Sequence, residues 1–170
     1  MNPKALHKIS YGLYVVSAHR DGAINGQIAN TVFQITSKPA TLAVSINKDN
    51  YTHEFIKGGR SFVVNVLDEE TGMTVIGRFG FRCGRDIEKF DGIKYRVSSL
   101  GNPILEQHSI AFLEATVDKI IDMGTHTIFL GEVVDGDIIG EGEPMTYAYY
   151  HLVKQGKSPK AAPTYIEEQD

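Results

Sequence analysis

The sequence predicts a mostly β fold, an antiparallel Greek-key barrel with short interposed helices. Alternating or apolar stretches recur along the whole chain, and turn residues such as Asp21-Gly22 separate them. Two stretches, at 110–121 and 127–134, are long enough to close a barrel. Since no Gly-x-Gly-x-x-Gly motif follows a strand, a doubly wound nucleotide-binding sheet is not supported.

The first elements follow in order. Asn2-Pro3 supplies an N-cap and a first-turn proline, which predicts a short helix to about Ile9. Strands are predicted at 11–18, 23–36 and 41–46, with a turn closed by proline at 37–39. A short helix is predicted at 52–59, capped by Thr52 and ended by the glycines at 58–59.

The remaining elements are predicted in the same way. Residues 61–67 form a strongly apolar run that indicates a buried strand, and 69–80 carry apolar residues at helical spacing. Further strands are predicted at 93–97, 110–121 and 127–134. The stretch 155–165 is rich in small residues and proline, as is typical of a linker. We therefore expect one domain over 1–155 and a C-terminal tail over 156–170.

Composition limits the class of protein. The 170 residues suit one domain with a single sizeable core, and 17 basic against 21 acidic residues give a net charge of −4. The basic residues are dispersed, so a nucleic-acid-binding face is not expected. A single cysteine, Cys83, excludes an internal disulfide, and no metal-ligand pattern such as His-x-His occurs. No leader or membrane-spanning run is apparent, so we expect a soluble, cytoplasmic protein with no membrane partner.

The stretch 26–39 places small and polar residues in what otherwise looks like a strand. Gly26 and Ala29 leave room for a flat group, while Gln27, Asn30 and Thr31 offer donors and acceptors around it. This is the inventory that holds a heteroaromatic ring by its polar edge. The alternative is a twisted strand with a glycine bulge and solvated polar residues.

A second informative stretch is 124–133, where His126 follows a glycine at the start of an alternating strand. A histidine there can present a ring nitrogen to a substrate that approaches the end of the strand. The alternative is a structural histidine with a local hydrogen-bond partner.

Segments that span almost the whole chain carry a family likeness: 9–16, 27–39, 46–48 with 52–53, 77–82, 88–92, 124–127 and 147–151. Their content and order resemble the flavin reductase-like family of FMN-binding split barrels. The likeness is to the archaeal ferric reductase subgroup and to the flavin module fused to rubredoxin in some anaerobes. It implies a split barrel over 1–155 that binds FMN and accepts hydride from NADH or NADPH.

The resemblance and the residue chemistry together give candidate sites. The cofactor-binding candidates are Gln27, Ile28, Ala29, Asn30, Thr31, Asn47, Lys48, Asn50, Thr52, His53, Arg82, Tyr147 and His151. The resemblance implies that His126 lies beside the flavin and orients nicotinamide, and we expect Arg78 and Arg85 to hold the dinucleotide phosphates.

Several of these candidates have a plainer alternative. The loop 47–50 before a helix start, with Lys48, suits a phosphate, but a polar loop that caps a helix has the same sequence. The arginines of 78–85 could serve flavin or dinucleotide phosphate, or be solvated. Tyr147 and His151 could cap the flavin from this or a second subunit, or serve packing and dimer contact. Cys83 is expected to be structural or incidental.

The resemblance implies an FMN-dependent NAD(P)H oxidoreductase that forms a homodimer. Its electron acceptor would be free flavin, a ferric chelate or a small iron protein. The tail carries no cysteine pair, so a rubredoxin-like acceptor would be a separate protein. One alternative is a flavoredoxin-like carrier that receives electrons from a protein. Another is a flavin-free binding module, against which the polar set around Asn30 and Thr31 speaks.

Overall fold

The computed structural model describes residues 2–165. Its strands are β1 (Tyr14–Arg20), β2 (Ala23–Ala29), β3 (Val32–Ser37), β4 (Ala40–Asn47), β5 (Ser61–Leu67), β6 (Tyr95–Val97), β7 (Pro103–Leu105), β8 (Ser109–Met123) and β9 (His126–Ile138). Its helices are a 3-10 helix (Pro3–Lys8), α1 (Tyr51–Gly59), α2 (Met73–Phe81) and α3 (Tyr147–Leu152).

Seven strands form one antiparallel sheet in the order β2-β1-β5-β8-β9-β4-β3. β2 and β3 lie at opposite edges of this order, yet only Asn30 and Thr31 connect them. Such a connection spans at most about 11 Å between the flanking Cα atoms. The sheet must therefore curl until its two edges approach each other, which makes a barrel that is split between β2 and β3.

The curled sheet has a buried core on each side of β1. Its inner core includes Val16, Ala18, Ala29, Leu42, Val44, Ile46, Phe55, Ile56, Phe62, Val64, Ala115, Val117 and Phe129. A second core packs α2 and α3 against the outside, and it includes Leu13, Val15, Leu67, Ile76, Phe79, Phe90, Leu105, Met145 and Tyr150. Successive residues of a strand point to opposite faces, so Val15 and Val16 are buried in different cores.

The β8–β9 hairpin extends beyond the barrel. Its strands pair from Ala111 with Ile138 to Met123 with His126. Residues 118–123 are exposed, and they include the apolar side chains of Ile120, Ile121 and Met123. This end of the hairpin therefore exposes three apolar side chains beside the charged Asp118, Lys119 and Asp122.

The single strand predicted at 23–36 is wrong. The structure breaks it at Asn30 and Thr31, because the chain leaves one edge of the split sheet and starts the other there. The predicted Thr52 cap is also wrong. Asn50 holds the N-cap position of α1 without a side-chain hydrogen bond, while Thr52 lies inside the helix.

The predicted glycine stop of α1 differs as well. Gly59 is the last helical residue, and Arg60 takes the left-handed conformation at the C-cap with φ 57°. Helix α2 begins at Met73 rather than residue 69, and β7 and α3 were not predicted. No helix among residues 2–165 is long and apolar enough to cross a membrane.

Candidate functional site

A cavity of about 270 Å³ lies beside the split of the barrel. Its walls come from the end of β2, the end of β4, the start of α1, the end of α2 with the loop after it, α3 and the C-terminal tail. The lining includes Gln27, Ile28, Ala29, Asn30, Asn47, Asn50, Thr52, Arg82 and Tyr147 from the expected site. It also includes Asn25, Phe79, Phe81, Cys83, Lys89 and Tyr150, for which the sequence suggested no binding role.

Gln27 presents an unpartnered acceptor in this lining. Its side-chain oxygen Oε1 is buried without a hydrogen-bond partner among the described residues. The amide nitrogen makes only a long bond of 3.5 Å to the carbonyl of Ile28. A buried amide oxygen without a partner is costly, so the site favours a ligand that donates a hydrogen bond at this point.

Lys89 supplies a buried positive charge to the same cavity. It is only 6% exposed, and its Nζ donates to the carbonyls of Gly26 at 2.9 Å and Phe79 at 3.0 Å. No carboxylate forms an ion pair with it within the part of the chain that the structure describes. Burial lowers the pKa of Lys89 to about 8, since the charged form loses its hydration. An anionic or acceptor group of a ligand would compensate that loss.

The start of α1 forms another part of the lining. Asn47 holds the loop, because its Oδ1 accepts from the backbone N–H of Asp49 at 3.0 Å. Asn50 leaves the helix start without a side-chain cap. Thr52 accepts from the buried Asn25 at 3.0 Å, which ties the helix to β2. Helix amides and their partial positive charge are therefore available beside the cavity.

Lys48 and His53 do not line the cavity. Lys48 forms an ion pair of 2.6 Å with Asp122 on the β8–β9 hairpin and keeps the pKa of that carboxyl low. His53 bonds to Thr127 at 2.9 Å and packs against Phe129. Its pKa is lowered, mainly because burial disfavours the charged ring.

The three candidate arginines have different surroundings. Arg82 lines the cavity and also a shallow depression beside it, which Arg78 shares. The Arg78 guanidinium donates to the carbonyl of Asp91. Arg85 pairs with Glu54 and lies over the Tyr51 ring at 4.5 Å. Of the three, only Arg82 reaches the cavity.

His126 and Thr31 lie at the border of the site and not in the cavity lining. His126 pairs across the sheet with Asn47, and directly paired residues of neighbouring strands point to the same face. Its Nδ1 bonds to Thr125 at 2.9 Å, while its Nε2 is buried without a partner among residues 2–165. Thr31 donates to Asn30 at 3.1 Å.

The C-terminal segment closes the cavity from outside. Tyr147 and Tyr150 line it, while His151 donates through Nδ1 to the carbonyl of Gly156 at 2.8 Å and supports the chain turn behind them. The tail after Gly156 does not run off as a linker. Its residues 157–159 and 161–163 form one wall of the cavity.

We predicted that Gly26 leaves room for a ligand, and the structure shows that it does not. A Cβ at this position would meet Phe79 and Phe90 at 3.3 Å and Val15 at 3.4 Å. The glycine makes room for packing of α2 and the loop at 90, and the space for a ligand lies beside Ala29 instead.

The similarity of this chain to known proteins shows its family. The profile of the "Flavin reductase like domain" matches residues 6–155. The chain belongs to this flavin reductase-like family. A high molecular weight rubredoxin of Moorella thermoacetica is 54% identical over 97% of this chain and 72% of its own length. A ferric-chelate reductase (NAD(P)H) of Archaeoglobus fulgidus is 51% identical over 98% of this chain and 99% of its own.

Solved structures agree with the fold of this flavin reductase-like chain. The flavin reductase HpaC complexed with NADP⁺ is 28% identical, with a TM-score of 0.74 over 85% of this chain and 89% of that one. The predicted mostly β split barrel is thereby confirmed, and the chain is an oxidoreductase of this family.

Flavin fits the residues of this cavity. An isoalloxazine ring combines apolar faces with a pyrimidine edge that carries both a donor and acceptors. Ile28 and Ala29 suit the apolar faces, the unpartnered Gln27 oxygen suits the ring donor, and Lys89 suits an acceptor or anionic group. Arg82 and the uncapped start of α1 suit a phosphate.

Proposed function

We propose that the protein is an FMN-dependent NAD(P)H oxidoreductase. It passes electrons from reduced nicotinamide through bound FMN to free flavin, a ferric chelate or a separate small iron protein. The observation that carries this proposal is the cavity that joins the unpartnered Gln27 oxygen to the buried charge of Lys89. The family match and the ferric-chelate reductase relative support the reaction class.

In this proposal FMN supplies the redox chemistry, because it takes up a hydride and releases the electrons to an acceptor. The chain supplies binding and orientation. Gln27 accepts from the ring edge, Lys89 provides positive charge, and Arg82 with the start of α1 binds the phosphate. The apolar lining keeps water from the faces of the ring that stay inside.

His126 orients the nicotinamide in our proposal. Its strand pairing with Asn47 puts it at the border of the cavity, and its Nε2 lacks a partner in the described part of the chain. Nε2 can therefore donate to or accept from a carboxamide. Hydride transfer depends on alignment, so a hydrogen bond at this point is enough to give the residue a role.

We further propose a cytoplasmic homodimer. Exposed apolar side chains lie on β3, as Phe33 and Ile35, and on the outer end of the β8–β9 hairpin. A symmetric interface would bury such surfaces in both copies. Arg78, beside the shallow depression next to Arg82, remains our candidate for the dinucleotide phosphates, together with Arg85.

A flavoredoxin-like carrier is the second candidate. The high molecular weight rubredoxin relative favours it, because that protein is named after an iron protein and this chain matches 72% of its length. A carrier would bind FMN in the same cavity but react poorly with nicotinamide.

The experiment that tests the proposal identifies the bound chromophore and its reductant. The protein is made with excess riboflavin, its chromophore is released by heat, and the extract is resolved by chromatography. We expect FMN, and then anaerobic bleaching of the holoprotein by NADH or NADPH. Recovery of FAD or of no flavin would refute the FMN assignment. FMN that neither nicotinamide bleaches would favour the carrier.

A further inference from the structure

Residues 157–164, which we call the C-terminal strap, lie outside the span that matches the flavin reductase like domain. Even so, Lys157, Ser158, Pro159, Ala161, Ala162 and Pro163 line the cavity. The strap has no regular secondary structure, so its position depends on the bonds it makes to the barrel.

The strap is fastened at its beginning by α3. The Tyr150 hydroxyl donates to the carbonyl of Lys157 at 2.9 Å, and the Tyr150 carbonyl accepts from the N–H of Gly156 at 2.9 Å. A Cβ at Gly156 would lie 2.0 Å from the Tyr150 ring, so the chain passes this ring only because the residue is glycine. The buried Gly156 therefore fixes where the strap begins.

The strap is fastened again at its middle and its end. Asn47 donates to the carbonyl of Ala161 at 3.4 Å. The Thr164 hydroxyl accepts from Asn30 at 2.9 Å and bonds to the Tyr147 hydroxyl at 2.8 Å. The strap is thus held over the gap between β2, β4 and α3 by three residues that we assign to the flavin site, namely Asn30, Asn47 and Tyr147.

The composition of the strap suits a wall against a ring. Pro159, Ala161, Ala162 and Pro163 offer small apolar surfaces, and the prolines limit the backbone freedom that ordering must overcome. The strap's bonds that involve side chains go to the barrel and α3, including the bond of Ser158 to the Tyr147 hydroxyl, and its backbone bonds internally from the Ala162 N–H to the Pro159 carbonyl. These four residues, which line the cavity, give its wall an apolar stretch after the polar Lys157 and Ser158.

We propose that the C-terminal strap is part of the flavin site and that it retains FMN by closing the cavity. This inference rests on the proposed function. It makes FMN a tightly held group in this protein, because the flavin can leave only when the strap detaches from Asn30, Asn47 and Tyr147. The opposite role, a strap that occupies the flavin's place, would make FMN bind better without it.

The test measures FMN dissociation from the full chain and from variants. Thr164→Val removes the hydroxyl that both Asn30 and Tyr147 contact but keeps the size of the side chain. Lys160→Gln is the matched control, since Lys160 is exposed in the strap and does not line the cavity. FMN release is followed by the recovery of flavin fluorescence after the holoprotein is diluted far below the concentration at which it holds FMN.

We expect Thr164→Val to release FMN about fivefold faster, because the Tyr147 hydroxyl keeps its bond to Ser158 and only the bond from Asn30 is lost without replacement. Lys160→Gln should release it at the rate of the wild type. A chain that ends at Gly156, shown to be folded by near-ultraviolet circular dichroism, should release it more than about tenfold faster.

Equal release rates for the full chain, Thr164→Val and the shortened chain would overturn the role of the strap. Slower release or tighter binding by the shortened chain would overturn it too, because the strap would then compete with flavin. A full chain that binds no FMN at all would instead refute the proposed function, and the strap's role with it.

Discussion

Replacing Lys89 with methionine should remove a pH dependence of stability that the wild type has. Methionine keeps the length of the side chain but cannot be charged. The pKa of Lys89 falls from 10.5 to about 8 because the residue is buried. A difference of about 2.5 pH units corresponds to about 3 kcal/mol at 1.36 kcal/mol per unit.

The sign follows from the two pKa values. Below pH 8, Lys89 is protonated in both the folded and the unfolded chain, so the cost of burying its charge lowers the free energy of unfolding in full. Between pH 8 and 10.5 the folded chain loses this proton while the unfolded chain keeps it. The free energy of unfolding of the wild type should therefore rise with pH across this window, relative to Lys89→Met. Between pH 7.5 and 9.5 the relative gain should be about 2 kcal/mol.

The assay is urea unfolding of the flavin-free protein at pH 7.5, 8.5 and 9.5. Lys119→Met is the control, because Lys119 is an exposed lysine on β8. We expect the control to follow the wild type and Lys89→Met to lack the relative rise. If the wild type and Lys89→Met differ by the same amount at all three pH values, Lys89 does not carry a buried charge and the argument for its role beside the flavin is wrong.

Three further predictions concern binding, catalysis and assembly. Gln27→Leu should weaken FMN binding by about 5- to 100-fold, measured by fluorescence titration. It should not lower the stability of the flavin-free protein in urea unfolding, because the Gln27 oxygen has no partner until flavin binds. His126→Ala should keep FMN but slow its anaerobic reduction by NAD(P)H by about 10- to 100-fold, with reduction by dithionite unchanged; equally fast bleaching would exclude the role in orienting nicotinamide. Phe33→Glu should turn a dimer into a monomer in light scattering, because Phe33 is 55% exposed on edge strand β3 and would be buried between the two copies. A wild-type protein that is monomeric with FMN bound would contradict the homodimer.

Much of the fold could be predicted because local signals coincide with it. β5 runs over 61–67 as predicted, since its apolar run is buried in the sheet. The Asp21-Gly22 turn also forms as predicted, with φ of 52° and 78° at its two residues. The break at Asn30 and Thr31 has no comparable local signal. It is a consequence of sheet closure, which depends on strand pairings far apart in the chain.

The lining of the candidate site could be predicted in part, where a residue lies on a segment that carries the family likeness. Residues such as Asn47 and Arg82 lie on segments that carry the family likeness, and they do line the cavity. Lys48 has the chemistry for phosphate but pairs with Asp122, which lies 74 positions further along the chain. Lys89 stands next to the buried Phe90 in the segment 88–92, which carries the family likeness, but nothing local shows that it reaches the cavity. The tail has a linker's composition, and only the bonds from Asn30, Asn47 and Tyr147 make it a wall.

The central claim is that FMN occupies the cavity beside the split of the barrel. The most direct test is a titration of the ¹⁵N-labelled protein with FMN, followed by amide chemical shifts. We expect one FMN per chain, with the largest shifts at 27–30, 47–52 and 80–84 and in the C-terminal strap. Saturable binding whose shifts fall instead on the shallow depression at Arg78 or on the outer end of the β8–β9 hairpin would contradict the claim, as would the absence of binding.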